Sequence, residues 1–181
     1  MRSAEDVIDF WFVRHGPDEW FAGKQELDTG IVAGFTDTHA AVRRGEAWPW
    51  RRTALGRLAE IVVLDQFSRH LFRGSAQAFA QDGMALALAQ EAIDRDVHHQ
   101  VEAVRRPFFF LPFMHAESLA MQREGVRLYQ ALGDPEQLDY MLKHFHAIER
   151  FGRFPFRNAA LGRHSTAEET AYMAEAGDRG F

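Results

Sequence analysis

Residues Arg57 to Arg73 read Arg-Leu-Ala-Glu-Ile-Val-Val-Leu-Asp-Gln-Phe-Ser-Arg-His-Leu-Phe-Arg. Six residues in and just before this stretch recur at helical steps of three or four and share one stripe: Leu55, Leu58, Val62, Asp65, Arg69 and Phe72. The apolar members predict a helix that faces a core. Asp65 and Arg69 place charge on the same face, at the spacing of a direct ion pair. Because buried charges need partners or a ligand, the stretch predicts a helical body that contains a polar site.

Helical patterns continue on both sides of this stretch, whereas alternating strand patterns are almost absent. In the first half of the chain, the sequence predicts a helix over 4–13 capped by Ser3 and Asp6, a helix over 27–42 closed by Gly45, a helix from Thr53 to about Leu71, and one or two helices over 76–93. In the second half, it predicts a helix from Pro107 that Pro112 kinks or restarts, a helix over 113–132, and a helix over 135–151 capped by Asp134. An irregular arm over 153–164 and a helix over 166–176, capped by Ser165 and Glu168, complete the prediction. Short loops between successive helices favour antiparallel pairs. The sequence therefore predicts an all-α bundle or short, compact α-solenoid in a single domain over residues 1–181.

The composition argues against several classes of function. The formal net charge of −5 argues against general nucleic-acid binding, which needs a basic surface. The chain has no cysteine, which excludes disulfides and thiolate metal sites. No apolar run approaches the roughly 20 residues of a membrane span, and the acidic start lacks the apolar region of a signal peptide. We therefore expect a soluble, cytoplasmic protein that binds neither nucleic acid nor membrane.

A second polar segment lies at residues 150–158, Arg-Phe-Gly-Arg-Phe-Pro-Phe-Arg-Asn, where arginines and aromatic rings alternate across a Gly/Pro bend. In one interpretation, the rings anchor an irregular arm and each arginine pairs with an acid or a helix carbonyl. In the other, Arg153, Arg157 and Asn158 bind a carboxylate or phosphate, because the guanidinium fork contacts such anions through two hydrogen bonds.

Longer motifs run in order along nearly the whole chain, at residues 7–12 (Val-Ile-Asp-Phe-Trp-Phe), 65–74, 79–82, 111–117, 150–158 and 161–169. These motifs resemble the bacterial family called domain of unknown function 924. The resemblance implies an all-helical fold of the tetratricopeptide-like superfamily, and it implies no reaction, because the family has no established activity. The chain departs from the family at Ser68, usually proline, at Phe145 and His146, where Arg and Asp are expected, and at Phe156, usually His. A reaction that used the Asp and His of relatives would lack those groups here.

Two histidines and a glutamate on later helices are further candidates for the site. His115 and Glu117 lie on apolar helical lines, and His144 lies at the edge of another. His115 is either a hydrogen-bonded core histidine or a general acid or base whose tautomer is set by Glu117 or Asp65. These three residues could also hold a metal between helices, but no motif at ligand spacing occurs and no metal is predicted. The two neighbouring histidines, His98 and His99, are expected to lie at a helix end, solvated and without function.

The leading hypothesis is one polar pocket that binds a small anionic metabolite, a carboxylate or a phosphate, without a cofactor. Whether that ligand is turned over is open; the base would be Asp65 or His115, and the arginines would stabilise developing negative charge. The competing hypothesis is a tetratricopeptide-like scaffold that binds a peptide or protein and in which the polar cluster is structural, by analogy of fold. The predicted catalytic residues are Asp65 and His115, and the predicted ligand-binding residues are Gln66, Arg69, Arg73, Glu117, His144, Arg153, Arg157 and Asn158.

Overall fold

The computed structural model describes residues 1–20 and 25–177, and all regular structure in these ranges is helical. The α-helices of the described ranges are α1 (Ala4–Asp9), α2 (Pro17–Trp20), α3 (Gln25–Val42), α4 (Ala54–Val62), α5 (Ser68–Leu71), α6 (Asp82–Asp94), α7 (Pro107–Met114), α8 (Leu119–Leu132), α9 (Pro135–Phe151) and α10 (Ala167–Ala176). The 3-10 turns are Trp48–Arg52, Ala76–Phe79, Val97–Gln100, Ala103–Arg105 and Pro155–Arg157. The all-α prediction is confirmed, and the tetratricopeptide-like arrangement stays a prediction. Within the described ranges, no helix combines the length and the apolar character needed to cross a bilayer.

The described residues form two compact units. Unit 1 holds residues 1–73 and 77–112, and unit 2 holds residues 74–76 and the chain from residue 113 onward. Each unit is described by itself below, and the prediction of a single domain over residues 1–181 stays a prediction.

The centre of unit 1 is a continuous helix made of α4, a π turn over Val63–Phe67 and α5. The hydroxyl of Thr53 caps it by accepting the N–H of Gly56 at 3.0 Å, which confirms the predicted start. The last helical residue is Leu71, which confirms the predicted end. The chain is buried throughout residues 58–68, and the ring of Phe67 packs against those of Trp11 and Phe35. The prediction that Leu55 faces the core is wrong, because it lies in the exposed first turn of the helix.

Unit 2 is built on α8 and α9, which follow each other across Gly133 and the cap residue Asp134. Gly125 of α8 leaves room for the side chain of Met141 of α9, since an added Cβ would lie 2.8 Å from the sulfur of Met141. As predicted, Asp134 caps α9 by accepting two backbone N–H groups. The N-terminal cap of α1 by Ser3 and Asp6 is confirmed in the same way in unit 1.

Two predicted helix boundaries are wrong. The pattern does not resume at Phe113, because α7 continues through Pro112 to Met114 and α8 begins only at Leu119. His115 therefore lies in the turn between these helices. The buried amide of Gln122 donates towards the carbonyls of Phe113 and Met114 at the end of α7, and towards that of Ala116 in the turn, at 2.7 to 3.2 Å. It thereby satisfies acceptors that the ended helix leaves open.

The cap of the last helix lies one residue beyond its predicted position. Thr166 and Glu169, rather than Ser165 and Glu168, form the capping box of α10. The choice follows from burial: Glu169 is 2% exposed, whereas Glu168 lies at the surface. The shift matters for function, because it turns a carboxylate into the interior of unit 2.

Candidate functional site

Asp65 is buried in the π turn of unit 1, with 1% of its surface exposed. Its carboxylate accepts a hydrogen bond of 2.5 Å from the amide of Gln66, and the guanidinium of Arg69 lies 3.3 Å away. The predicted Asp65–Arg69 ion pair is therefore present. Arg69 also donates two hydrogen bonds, of 3.0 and 3.1 Å, to the two carboxylate oxygens of Asp82. Burial lowers the pKa of Arg69, but the charges of Asp65 and Asp82 outweigh burial and raise it.

Arg73, the remaining predicted site residue of unit 1, pairs with Asp28 of α3 at 3.0 Å. The Nδ1 atom of His70 lies 2.6 Å from the same carboxylate and donates to it, because a carboxylate only accepts. Burial raises the pKa of Asp28, but the hydrogen bonds from His70 and Arg73 outweigh burial and hold it below its ordinary value. The side chain of Arg73 is 57% exposed, so this pair lies at the surface.

In unit 2, the arm between α9 and α10 folds around the carboxylate of Glu169. Arg153 donates two hydrogen bonds to it, of 2.6 and 2.9 Å, and Asn158 donates another of 3.3 Å. The backbone N–H of Thr166 adds a fourth donor at 2.8 Å. Led by the Arg153 hydrogen bonds, these donors lower the pKa of Glu169 to about 2. The buried carboxylate is therefore ionised at neutral pH.

Glu117 is the second carboxylate of this network. Arg163 donates to both of its oxygens, at 2.7 and 2.9 Å, and the backbone N–H of Phe154 donates at 2.7 Å. Arg163 also donates to the side-chain oxygen of Asn158 at 3.0 Å, which links Glu117 to the group around Glu169. Burial raises the pKa of Glu117, but the hydrogen bonds from Arg163 and Phe154 and the charges of Arg163 and Arg157 outweigh burial and lower it.

Arg157 and His144 lie against the buried ring of Phe154, and His115 lies beside His144. The guanidinium of Arg157, itself buried, lies 4.6 Å from the ring centre. The ring of His144 approaches the same ring edge-on at 5.5 Å, and the ring of His115 lies 6.2 Å from that of His144. The Nδ1 atom of His144 lies 2.8 Å from the carbonyl of Tyr140, which can only accept. In neutral His144 the proton is therefore on Nδ1, and Nε2 is the basic nitrogen.

The six predicted site residues of unit 2 thus belong to one connected network, whereas the four of unit 1 fall into two separate pairings. We call the network in unit 2 the arm cluster; its members are His115, Glu117, His144, Arg153, Phe154, Arg157, Asn158, Arg163 and Glu169. Whether the predicted residues of the two units share one pocket stays a prediction.

Comparisons with known proteins place the chain in a family. A family described as "Bacterial protein of unknown function (DUF924)" matches residues 7–177. The chain belongs to this family. It is also similar to the solved structure of a protein of unknown function, ATU0120 from Agrobacterium tumefaciens, with 41% sequence identity, a TM-score of 0.91, and coverage of 95% of this chain and 97% of that chain. No curated protein matches the chain. The resemblance inferred from the motifs is confirmed, and it brings no activity with it.

Four carboxylate or guanidinium groups that pair with site residues of this DUF924 member were not among the predicted site residues: Asp28, Asp82, Arg163 and Glu169. Three of these, at positions 82, 163 and 169, lie inside the motifs that carry the family resemblance, so a signal for them was present in the sequence. Asp28 lies outside those motifs, at a position where the sequence shows only an acid near the start of a helix. Its role depends on the packing of α3 beside α5.

A cavity of about 310 Å³ lies on unit 1 between the start of the chain and α3. Its lining includes Arg2, Asp6, Phe10, Arg14 and Gly34, and none of the predicted site residues. Two of its polar groups already have local roles, because Asp6 caps α1 and Arg14 pairs with Asp9 at 2.6 Å. The cavity is therefore separate from the polar residues that the sequence singled out.

Proposed function

We propose that the arm cluster of unit 2 binds a small anionic metabolite, a carboxylate or a phosphate. The observation that supports this most is the arrangement of its arginines. Arg153 donates to the carboxylate of Glu169, and Arg163 donates to that of Glu117. The charge of Arg157 also acts on Glu117, so three guanidinium groups lie near two carboxylates. Guanidinium groups held in a fixed geometry suit planar or tetrahedral anions, which accept two hydrogen bonds from one fork.

The internal carboxylates position the arginines without enclosing them completely. The side chain of Arg153 is 30% exposed and that of Arg163 is 23% exposed, so both keep surface that an incoming anion can reach. Arg157 is buried against Phe154 and supplies positive charge where water is largely excluded. Electrostatic attraction to an anion is stronger there than at the surface, because the local dielectric is lower.

The two histidines give the proposed site a group that could exchange protons with a bound ligand. His144 presents Nε2 as its basic nitrogen, and His115 lies beside it. In this proposal, His115 is the predicted catalytic residue that remains with the ligand site, and turnover is left open. We propose a structural role for Asp65, Gln66, Arg69 and Arg73, whose polar groups already have partners within unit 1.

The proposal can be tested by thermal unfolding with added inorganic phosphate or succinate at constant ionic strength. An anion that binds only the folded chain raises the free energy of unfolding, by about 2.7 kcal/mol at about 100 times its dissociation constant. We expect the free energy of unfolding of the native chain to rise with anion concentration until it saturates. The rise should be weaker for Arg157→Lys, which keeps the charge but loses the fork, and absent for Arg157→Met.

Arg150→Met is the matched control. Arg150 lies at the end of α9 and pairs with Glu168 at the surface, at 2.8 Å, outside the cluster. This variant should respond to the anion as the native chain does. No rise beyond that produced by chloride, or an undiminished rise in Arg157→Met, would refute the proposal. If Arg157→Met does not fold, the comparison between Arg157→Lys and Arg150→Met decides the same question, and equal rises in those two variants would refute the proposal.

The competing function, a scaffold for a peptide or protein, is supported by the internal ion pairs of the cluster. Arg153 and Arg163 each donate two hydrogen bonds to a carboxylate of the chain itself, which is what a purely structural cluster would do. If no anion binds, the cluster would serve to hold the arm against α8, α9 and α10. Retrieval of a partner by the native chain and by Arg157→Lys alike would favour the scaffold function.

A further inference from the structure

The turn that follows α6 in unit 1 brings together Asp96, His98 and His99. Each offers one donor atom, and these atoms all lie within 4.8 Å of one another. Asp96 and His99 are exposed, whereas His98 is buried and packs edge-on against Phe110, with the ring centres 5.6 Å apart. The expectation that both histidines are solvated is therefore wrong for His98, because the 3-10 turn directs its ring inward.

Two local features hold these groups together. Asp96 has a left-handed backbone, with φ 54° and ψ 23°, a conformation that residues with a side chain seldom adopt. Its carbonyl accepts the N–H of His99 at 3.2 Å. Consecutive side chains on a 3-10 helix diverge by about 120°, yet the rings of His98 and His99 lie only 4.0 Å apart. A strained turn thus places two imidazoles side by side, next to a carboxylate.

We propose that Asp96, His98 and His99 bind a divalent first-row transition-metal ion, for which Zn²⁺ is the representative. Two imidazole nitrogens and one carboxylate oxygen are a donor set that Zn²⁺ accepts, whereas Mg²⁺ and Ca²⁺ prefer oxygen donors alone. Tetrahedral Zn²⁺ with bonds of about 2.0–2.1 Å places its donors about 3.3 Å apart. The exposed side chains of Asp96 and His99 reach that spacing by rotating towards His98, which packing holds in place.

The surroundings of the turn favour a cation. The turn follows the C-terminal end of α6, where the helix dipole places partial negative charge. The nearest cation in the sequence, Arg95, pairs with Glu91 at 2.8 Å, a carboxylate that Arg57 also contacts. Three protein ligands leave the fourth position to water or another small ligand, so the site would be open and exchangeable rather than a closed structural site.

The test is calorimetric titration of ZnCl₂ into the full chain, stripped of metal, in a buffer without phosphate. We expect one Zn²⁺ per chain. His99→Ala and Asp96→Asn should each weaken binding by about tenfold or more, since even indirect partners of a metal contribute that much. Asn tolerates the left-handed backbone, so Asp96→Asn should keep the thermal stability of the metal-free chain. In the native chain, Co²⁺ should give the visible absorption of a site with nitrogen donors.

His146→Ala is the matched control, because His146 is exposed on α9 and contacts Glu149 at 3.4 Å, outside the turn. This variant should bind Zn²⁺ as the native chain does. Absence of binding, or equal binding by the native chain, His99→Ala and Asp96→Asn, would overturn the proposal. Because these two substituted residues are exposed, the test does not depend on altering the buried His98. The result is independent of anion binding, which concerns unit 2.

Discussion

His39 shows how one buried side chain couples folding to pH. It is 3% exposed on α3, and its Nε2 lies 2.8 Å from the hydroxyl of Ser68. That hydroxyl donates to the carbonyl of Leu64 at 2.6 Å, so it accepts from His39, whose ring also faces Phe72. Burial, with a smaller effect of the Arg43 charge, lowers the pKa of His39 from 6.5 to about 4.

We predict that this histidine destabilises the fold as the pH falls from 6.5 to about 4. In that window the unfolded chain binds a proton that the folded chain does not, so the free energy of unfolding decreases, by about 3 kcal/mol at the lower end. Urea unfolding across the window measures this. In His39→Gln, which keeps a donor for Ser68, the free energy of unfolding should decrease by about 3 kcal/mol less over the same window. Parallel losses in the two proteins would contradict the prediction.

The arm cluster shows what the sequence could predict about individual side chains. Arg153, Arg157 and Asn158 were identified because they stand in an unusual mixture of arginines and rings. Glu169 was missed because two overlapping capping boxes fit the sequence one residue apart, and only burial against Arg153 distinguishes them. Local spacing thus indicates which side chains need partners, whereas the identity of the partner depends on contacts between distant segments.

The 3-10 turn Trp48–Arg52 packs tightly onto the first turn of α4. A Cβ added at Gly56 would lie 2.0 Å from the carbonyl oxygen of Trp50 and 2.9 Å from the hydroxyl of Thr53, which caps the helix. By contrast, a Cβ at Gly34 in α3 would meet nothing within 4 Å. The two helical glycines therefore differ in their surroundings and provide a matched pair.

We predict that Gly56→Ala lowers the free energy of unfolding by about 2 kcal/mol or more, because backbone rather than a flexible side chain must move. Gly34→Ala should raise it by about 0.5–1 kcal/mol, since alanine is the better helix former. Chemical denaturation of both variants against the native chain measures the difference. Equal effects in the two variants would show that the turn does not pack on α4 as described.

The helices were easier to predict than their irregularities. Caps at Ser3, Thr53 and Asp134 were predicted correctly, because each depends on a side chain and backbone a few residues away. The π turn over Val63–Phe67 was not foreseen. A helical template counts steps of three and four residues and has no means to detect one extra residue in a turn. That turn nevertheless sets the surroundings of Asp65.

At the scale of the whole molecule, the fold class followed from periodicity and composition, and the helices of the described residues confirm it. The division into two units did not follow from the sequence, since no linker or change of composition marks it. The grouping of polar residues was only partly predictable. The sequence placed ten residues in one site, and the structure connects six of them within unit 2.

The most direct test of the proposed anion site is an NMR titration of the full, ¹⁵N-labelled chain with inorganic phosphate, following the arginine Nε–H and histidine ring signals. The proposal predicts saturable shifts with one common midpoint for Arg153, Arg157 and His144, while the signals of Arg14 and Arg73 stay in place. Unchanged signals throughout the arm cluster, or equal and unsaturated shifts of all arginines, would contradict it.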